Sequence, residues 1–359
     1  MIASVGVALA IQNAWLCDDA FISFRYAQNL TRGLGLVYNA EEKVEGYTNF
    51  LWTLILAGGM QLKLYPELLS QTLGVLSYGC ILWLLFLFEK RIASDKNFIP
   101  IGLFGYALFH HGHIFATSGL ETALYTCLAI SSFYFFDKEK LKTGAALLSL
   151  AAMTRPDGLL LYLIAGVYLV YLFMRAEKNA YFAVFKQYLL LPHLTFLALY
   201  GPYWVWRYQY YGWAFPNTYY AKSGAAVDLE QGIRFFSLFF KSYYILALVP
   251  LAGLIYYLRL FTRVKPDDRN IKIIILLIMP ALAHIAYYTK IGGGFMFARL
   301  YLPIVPFLFI LLGYYLNCLF FGRKRLLAAL IVCLGVVFYH DPYARQKGAP
   351  VIDGIVAEN

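Results

Sequence analysis

Residues 1–31 read MIASVGVALAIQNAWLCDDAFISFRYAQNLT. An apolar opening segment runs straight into two adjacent carboxylates, Asp18 and Asp19, and then into a mixed apolar and polar stretch. Two acids side by side at the edge of an apolar segment are costly to keep charged in a low-dielectric setting. Their position points to chemistry at a membrane surface. Residues 1–16 have no basic start and no small-residue cleavage site, so they read as a first span rather than a removed leader. Beyond the acids, apolar residues at 21, 22, 26, 27 and 30 fit a short amphipathic helix lying along the outer membrane surface. One helix cap accounts for one of the two aspartates and does not need both.

The rest of the chain supports a bilayer setting. Of 359 residues, 61% are hydrophobic and 14% charged, against roughly 25% charged in a soluble domain. The expected class is all-α, a polytopic transmembrane helical bundle. Eleven spans are expected, over 1–16, 68–88, 98–116, 120–136, 143–154, 158–175, 188–206, 241–258, 273–289, 300–320 and 326–339. Residues 1–339 then form a single membrane domain, and 340–359 a short outer tail. Residues 49–64 are apolar enough to enter the bilayer, but a crossing there would invert everything after it. They read as a half-span or re-entrant piece.

The net charge of +10 does not indicate nucleic acid. Five short segments, 89–97, 137–142, 175–186, 259–272 and 322–325, hold 17 of the 30 Lys and Arg. This clustering between apolar segments places all five in the cytoplasm. Residues 17–48, 117–119, 155–157, 207–240, 290–299 and 340–359 then share the opposite face. The five cysteines show neither metal spacing nor a disulfide framework. His110, His111 and His113 lack an accompanying acid or cysteine and read as ordinary buried or interfacial histidines. The aromatic run from Tyr203 to Trp213 reads as an interfacial belt, with a sugar-stacking platform as the alternative.

Several ordered blocks follow the acids. They are G-L-V-Y-N at 35–39, V-E-G-Y-T-N-F-L-W at 44–52, S-G-L-E-T at 118–122, T-R-P-D-G at 154–158, F-P-N-T-Y-Y-A-K at 215–222 and G-G-G-F-M-F-A-R at 292–299. With DDAFISFRYAQNL before them, they resemble bacterial cell-wall arabinofuranosyltransferases and their relatives in the GT-C superfamily of polytopic glycosyltransferases. The resemblance covers residues 17 to about 306. It implies transfer of a sugar from a polyprenyl-phosphate carrier to a glycan, lipid or protein acceptor, in the bacterial inner membrane and on its periplasmic or extracellular side. The family's catalytic aspartate falls on Asp18 and Asp19. Arg25, Glu45, Asn49, Glu121, Arg155, Asp157, Asn217, Tyr219, Lys222 and Arg299 become substrate-binding candidates.

The residue types suit that reaction. A carboxylate can take the proton of a sugar hydroxyl as it attacks the anomeric carbon. Arg25, Arg155, Lys222 and Arg299 are the outer cations able to stabilise a leaving phosphate. Arg25 has an ordinary reading as a snorkelling side chain, Arg155 as a partner of Asp157, and Glu121, Thr48 or Asn49 as helix caps. The acid pair can also hold a divalent cation (Mg, Mn or Ca) against the phosphate. The family's last motif usually carries an acid where this chain has Gly294, which implies a different donor or an inactive relative. A transporter or flippase of lipid-linked sugars is the other class. It requires charged groups deep within the spans and an internal repeat, whereas here the unusual polar residues gather at one face.

Overall fold

The computed structural model describes residues 1–93, 97–176, 181–217, 220, 228–261, 268–342, 351–352 and 355–356. These residues are mostly helical. The α-helices are α1 (Ile2–Gln12), α2 (Ala20–Thr31), α3 (Phe50–Gln61), α4 (Pro66–Ile92), α5 (Ile101–Ala107), α6 (His110–Thr117), α7 (Thr122–Asp137), α8 (Leu141–Thr154), α9 (Gly158–Arg175), α10 (Tyr181–Phe185), α11 (Leu191–Tyr211), α12 (Leu229–Ser242), α13 (Leu248–Phe261), α14 (Asp268–Lys290), α15 (Val305–Leu319) and α16 (Arg323–Val337). A π-helical turn at Lys186–Leu190 joins α10 to α11 into one 31-residue helix. A 3₁₀ turn at Arg299–Ile304 leads into α15.

Among the described residues, five helices are long and apolar enough to cross a membrane, or up to seven if two sharply bent pairs each count as one span. Together with the composition, this makes the chain an integral membrane protein. The number supported by helix length is thus five to seven, against the eleven read from apolar runs. Continuous apolarity hides where a helix stops. The segment expected as one span at 98–116 is two short helices, α5 and α6, broken at Leu108–Phe109 with no Pro or Gly to announce it. Helices α1, α3 and α8 have 11, 12 and 14 residues. At 1.5 Å per residue, each falls short of a hydrocarbon core of about 30 Å. For α3 this is the length of a half-span, as expected for residues 49–64.

The chain divides into two compact units. One comprises Met1–Asn13, Tyr78–Ile114 and Val227–Asn359; the other comprises Ala14–Ser77 and Phe115–Ala226. In the second unit α2 packs on α3, and α8 is central, touching α3, α7, α9 and α11. Helix α2 is amphipathic as expected. It buries Ala20, Ser23, Phe24, Tyr26, Ala27 and Asn29 and exposes Phe21 and Arg25. In the first unit α15 is the central element and is almost wholly buried, with α5, α13 and α14 packed on it. Its sequence, Val-Pro-Phe-Leu-Phe-Ile-Leu-Leu-Gly, has no polar face to offer solvent or headgroups. The tail is not featureless: Val351 pairs with Val356 and Ile352 with Ile355 in an antiparallel ladder.

Candidate active site

Asp18 and Asp19 occupy the turn just before α2, with Asp18 exposed and Asp19 half-buried. Asp19 stands at the N-cap position of α2, yet its side chain makes no cap hydrogen bond. The Asp18 Oδ1 accepts from the Asp19 amide at 2.7 Å and from Cys17 Sγ at 3.5 Å. The capping reading of the pair is therefore not what the geometry shows.

The turn is fixed from behind by the 118–121 segment. Cys17 N–H donates to Ser118 O at 2.9 Å, and Trp52 Nε1 donates to Gly119 O at 3.1 Å. Gly119 has φ +81, and a Cβ there would stand 2.5 Å from Leu16 Cδ1 and 2.9 Å from Ala20 Cβ. Only glycine meets both demands without strain or displacement. This close approach brings the acid pair and Glu121 into one region of the second unit.

The same arrangement recurs at three further helix starts. Asn49, Glu121 and Asp157 hold the N-cap positions of α3, α7 and α9, and none uses its side chain as a cap. Their side chains join one buried network instead. Asn49 Nδ2 donates to Glu121 Oε2 at 3.0 Å and to Ser23 Oγ at 2.9 Å. Asn49 Oδ1 accepts from Ser23 and from Thr53, each at 3.2 Å. Arg155 Nη1 donates to Glu121 Oε1 at 3.2 Å, and its Nε to Asp157 Oδ1 at 3.0 Å. The Arg155 guanidinium also lies 5.4 Å from the centre of the Tyr125 ring. Two carboxylates face one guanidinium, and all three residues are buried. Burial weakens solvent screening, so these charge-assisted bonds fix geometry strongly. Four helix N-termini, each carrying a partial positive charge, are thereby drawn together in the unit that carries the acid pair.

A second buried pair organises the loop between α2 and α3. Glu45 and Arg207 are 2% and 3% exposed. Arg207 Nε donates to Glu45 Oε1 at 2.9 Å, and Nη2 lies 2.7 Å from Oε2. Arg207 Nη1 also donates to Ala214 O at 2.9 Å and to Trp213 O at 3.3 Å. Asn217 Oδ1 accepts from Glu45 N–H at 3.1 Å. Burial pushes the Glu45 carboxyl above its ordinary range, and the Arg207 hydrogen bond and charge pull it partly back. Tyr26, Tyr211 and Asn29 pin the same loop through the carbonyls of Val44, Leu36, Val37 and Tyr38.

The structure therefore brings together Asn49, Glu121, Arg155 and Asp157 in one cluster, and Glu45 and Asn217 in another. Arg25 is exposed on α2, and its Nε donates to Tyr38 O at 3.2 Å. Arg299 belongs to the other unit, at the start of the 3₁₀ turn, half-buried with Nη1 donating to Met296 Sδ at 3.1 Å. Tyr219 and Lys222 lie outside the described residues. Of the histidines, His111 and His113 are buried as expected, His111 against the Tyr243 hydroxyl and His113 against Ala107 O. The aromatic run divides. Trp204 and Tyr208 stack on the exposed face, while Tyr203 stacks on Phe50.

Sequence reading missed Arg207 and Ser23. Arg207 had a signal, because it is the single Asp, Glu, Lys or Arg in the stretch 188–211, and a lone charge in an apolar segment demands a partner. Ser23 had none.

No protein-family model matches the chain. Two proteins, each named as a terminal β-(1→2)-arabinofuranosyltransferase, are similar in sequence. That of Corynebacterium glutamicum is 28% identical over 94% of this chain, and that of Mycobacterium tuberculosis 26% identical over 65%. The chain spans 54% and 39% of their respective lengths. Among solved structures, ArnT from Cupriavidus metallidurans, crystallised with undecaprenyl phosphate, matches 92% of this chain with a TM-score of 0.61 at 13% identity. The match covers 61% of ArnT. In sequence the chain thus resembles the two arabinofuranosyltransferases, and in fold it matches ArnT.

Proposed function

We propose that this protein is a membrane glycosyltransferase. It moves a sugar from a polyprenyl-phosphate carrier to an acceptor hydroxyl on the non-cytoplasmic face, with Asp18 or Asp19 as general base. The observation that carries the reading is the setting of the pair. Asp18 is exposed and Asp19 half-buried, the Asp19 side chain makes no cap hydrogen bond, and the turn that carries them stands on a buried hydrogen-bonded scaffold of Asn49, Glu121, Arg155 and Asp157.

In the proposed step the acceptor oxygen attacks the anomeric carbon and one aspartate takes the hydroxyl proton. The bond between the anomeric carbon and the phosphate oxygen breaks, and the polyprenyl phosphate leaves with the electron pair. Such positioned proton transfer contributes about 10²–10⁴-fold in rate. The second aspartate orients the first or holds a divalent cation. Among the described residues no three His, Cys, Asp or Glu side chains gather as a metal set. A cation held by the two acids would take its other ligands from phosphate and water. Mg, Mn or Ca held there would neutralise charge on the leaving phosphate. Arg25 and Lys222 are the proposed cationic contacts to that phosphate. Arg155 is instead committed to Glu121 and Asp157, so we assign it to holding the site together.

The named relatives support arabinofuranose as the donor sugar, and the ligand of ArnT supports an undecaprenyl-type carrier. The acceptor is a glycan, a lipid or a protein hydroxyl. Purified protein given a panel of polyprenyl-phosphate sugars and a labelled acceptor tests the reading, with transfer from the arabinofuranosyl donor expected. Absence of transfer from every donor would support the inactive-relative alternative. Sidedness, in the bacterial inner membrane, rests on the basic clusters. A cysteine at position 19 should react with an impermeant reagent from outside the cell, and reaction only from the cytoplasm overturns it.

A further inference from the structure

Away from the acid pair, the second unit carries a groove of about 250 Å³ between the α7–α8 turn and the π-helical turn. One water needs about 10–15 Å³, so the groove has room for a phosphate group. Glu139, Lys140, Lys142 and Thr143 line it from the turn, and Gln187 and Leu191 from the other side. Both lysines are exposed, and among the described residues neither forms an ion pair. Two lysines against one acid leave the lining with the net charge that complements a single phosphodiester.

Both sides of the groove are held in place. On the turn side, Lys138 N–H donates to Tyr134 O at 3.1 Å and Lys140 N–H to Phe135 O at 2.9 Å, closing α7. Ser132 Oγ donates to Gly144 O at 2.7 Å and ties α7 to the first turn of α8. Leu141 is buried between the two lysines and anchors them. On the other side, Pro192 has no N–H to give to Tyr188 O four residues back, and the π-turn at Lys186–Leu190 stands where the helical ladder is interrupted. Such single π-turns inside long helices often mark functional sites.

The surroundings select the occupant. The helix Tyr181–Tyr211 is long and apolar enough to cross a membrane, yet only 11% of its apolar stretch is buried. Its open face therefore meets acyl chains. Leu194 is exposed one turn beyond Leu191, so a chain lying along this face brings its headgroup to the groove. Lys140 and Lys142 belong to one basic segment, 137–142, and Gln187 adjoins another, 175–186. Both segments are read as cytoplasmic, where the leaflet is rich in anionic lipid. We propose that the groove binds the phosphate of an anionic phospholipid of the cytoplasmic leaflet. Lys140 and Lys142 hold the phosphate, Thr143 and Gln187 donate hydrogen bonds to its oxygens, and Glu139 accepts from a headgroup hydroxyl. The choice of leaflet rests on the proposed sidedness; the site itself does not.

The test is native mass spectrometry of the full chain in detergent, with phosphatidylglycerol, phosphatidylcholine and inorganic phosphate as the probes. Wild type retains phosphatidylglycerol in preference to phosphatidylcholine and does not hold the free ion. Lys140→Ala/Lys142→Ala weakens phosphatidylglycerol binding about tenfold. Arg323→Ala/Lys324→Ala removes the same charge from the exposed start of α16 and leaves binding within about twofold of wild type. Phosphatidylglycerol carrying a photoreactive acyl chain labels the 187–198 stretch in wild type and not in the Lys140→Ala/Lys142→Ala variant. Equal weakening by the two double variants, no weakening by the first, or labelling confined to other segments overturns the site. Retention of inorganic phosphate in place of the lipid overturns the lipid as occupant. A cysteine at position 142 should react with an impermeant reagent from the cytoplasmic side. Reaction only from outside the cell overturns the leaflet and the proposed sidedness, while the detergent measurements decide the site independently.

Discussion

Asp228 and Asp157 occupy the same kind of position and do different things. At the start of α12, Asp228 Oδ1 accepts from Gln231 N–H at 2.9 Å, the ordinary work of an acid at a helix N-terminus. At the starts of α2, α3, α7 and α9, the residues Asp19, Asn49, Glu121 and Asp157 leave that work undone. Three of these side chains turn into a buried network, and the fourth stands beside the exposed Asp18. A capping bond contributes about 1 kcal/mol, and four have been forgone in one region. The comparison teaches that these polar groups are arranged for a site rather than for their own helices.

The comparison can be broken most forcefully at Arg155. Arg155→Met leaves Glu121 and Asp157 buried without their shared guanidinium. A loss of about 3–5 kcal/mol is expected, read as a collapse of folded yield and melting temperature in detergent. Arg207→Ala should have a comparable effect through Glu45, with limited proteolysis showing earlier cleavage in the 32–49 loop. Asn49→Ala removes the donor to Glu121 and the partner of Ser23, and about 1–3 kcal/mol should be lost in thermal melts. Asp228→Ala should cost about 1 kcal/mol of stability and leave transfer unchanged; a large drop in transfer there would erase the distinction between the two kinds of helix start.

The smallest effect concerns pH. The Glu45 carboxyl is raised by burial, so the folded state keeps a proton that the unfolded chain has released. Its contribution to stability is fully present below the ordinary carboxylate range and falls as pH rises through the raised value. Melting temperature against pH should show this decline just above the ordinary range, and Glu45→Gln should flatten it.

Much of the frame was legible in the sequence, and particular residues show where legibility ended. The helical membrane class and the amphipathic character of α2 follow from composition and spacing, which are local properties. The choice of Asn49, Glu121, Arg155 and Asp157 came from the resemblance. That they meet in one hydrogen-bonded chain did not follow from their spacing, since 72 residues separate Asn49 from Glu121. The break at Leu108–Phe109 was invisible because both residues are apolar and neither is Pro or Gly. The terminal strand had a signal that went unread. Asp353-Gly354 between the pairs Val351-Ile352 and Ile355-Val356 is a hairpin pattern. The Gly294 departure acquires a physical cost, since a Cβ there would stand 2.7 Å from Leu300 Cδ1. An acid at that position would require Leu300 to move.

The central claim is that Asp18 and Asp19 are kept for chemistry and do little for the fold. Asp18→Asn and Asp19→Asn, purified in detergent, should melt within about 0.5 kcal/mol of wild type, and at least one should lose 10²-fold or more of arabinofuranosyl transfer from the polyprenyl-phosphate donor. Full transfer by both variants, or unfolding by both, would contradict the account.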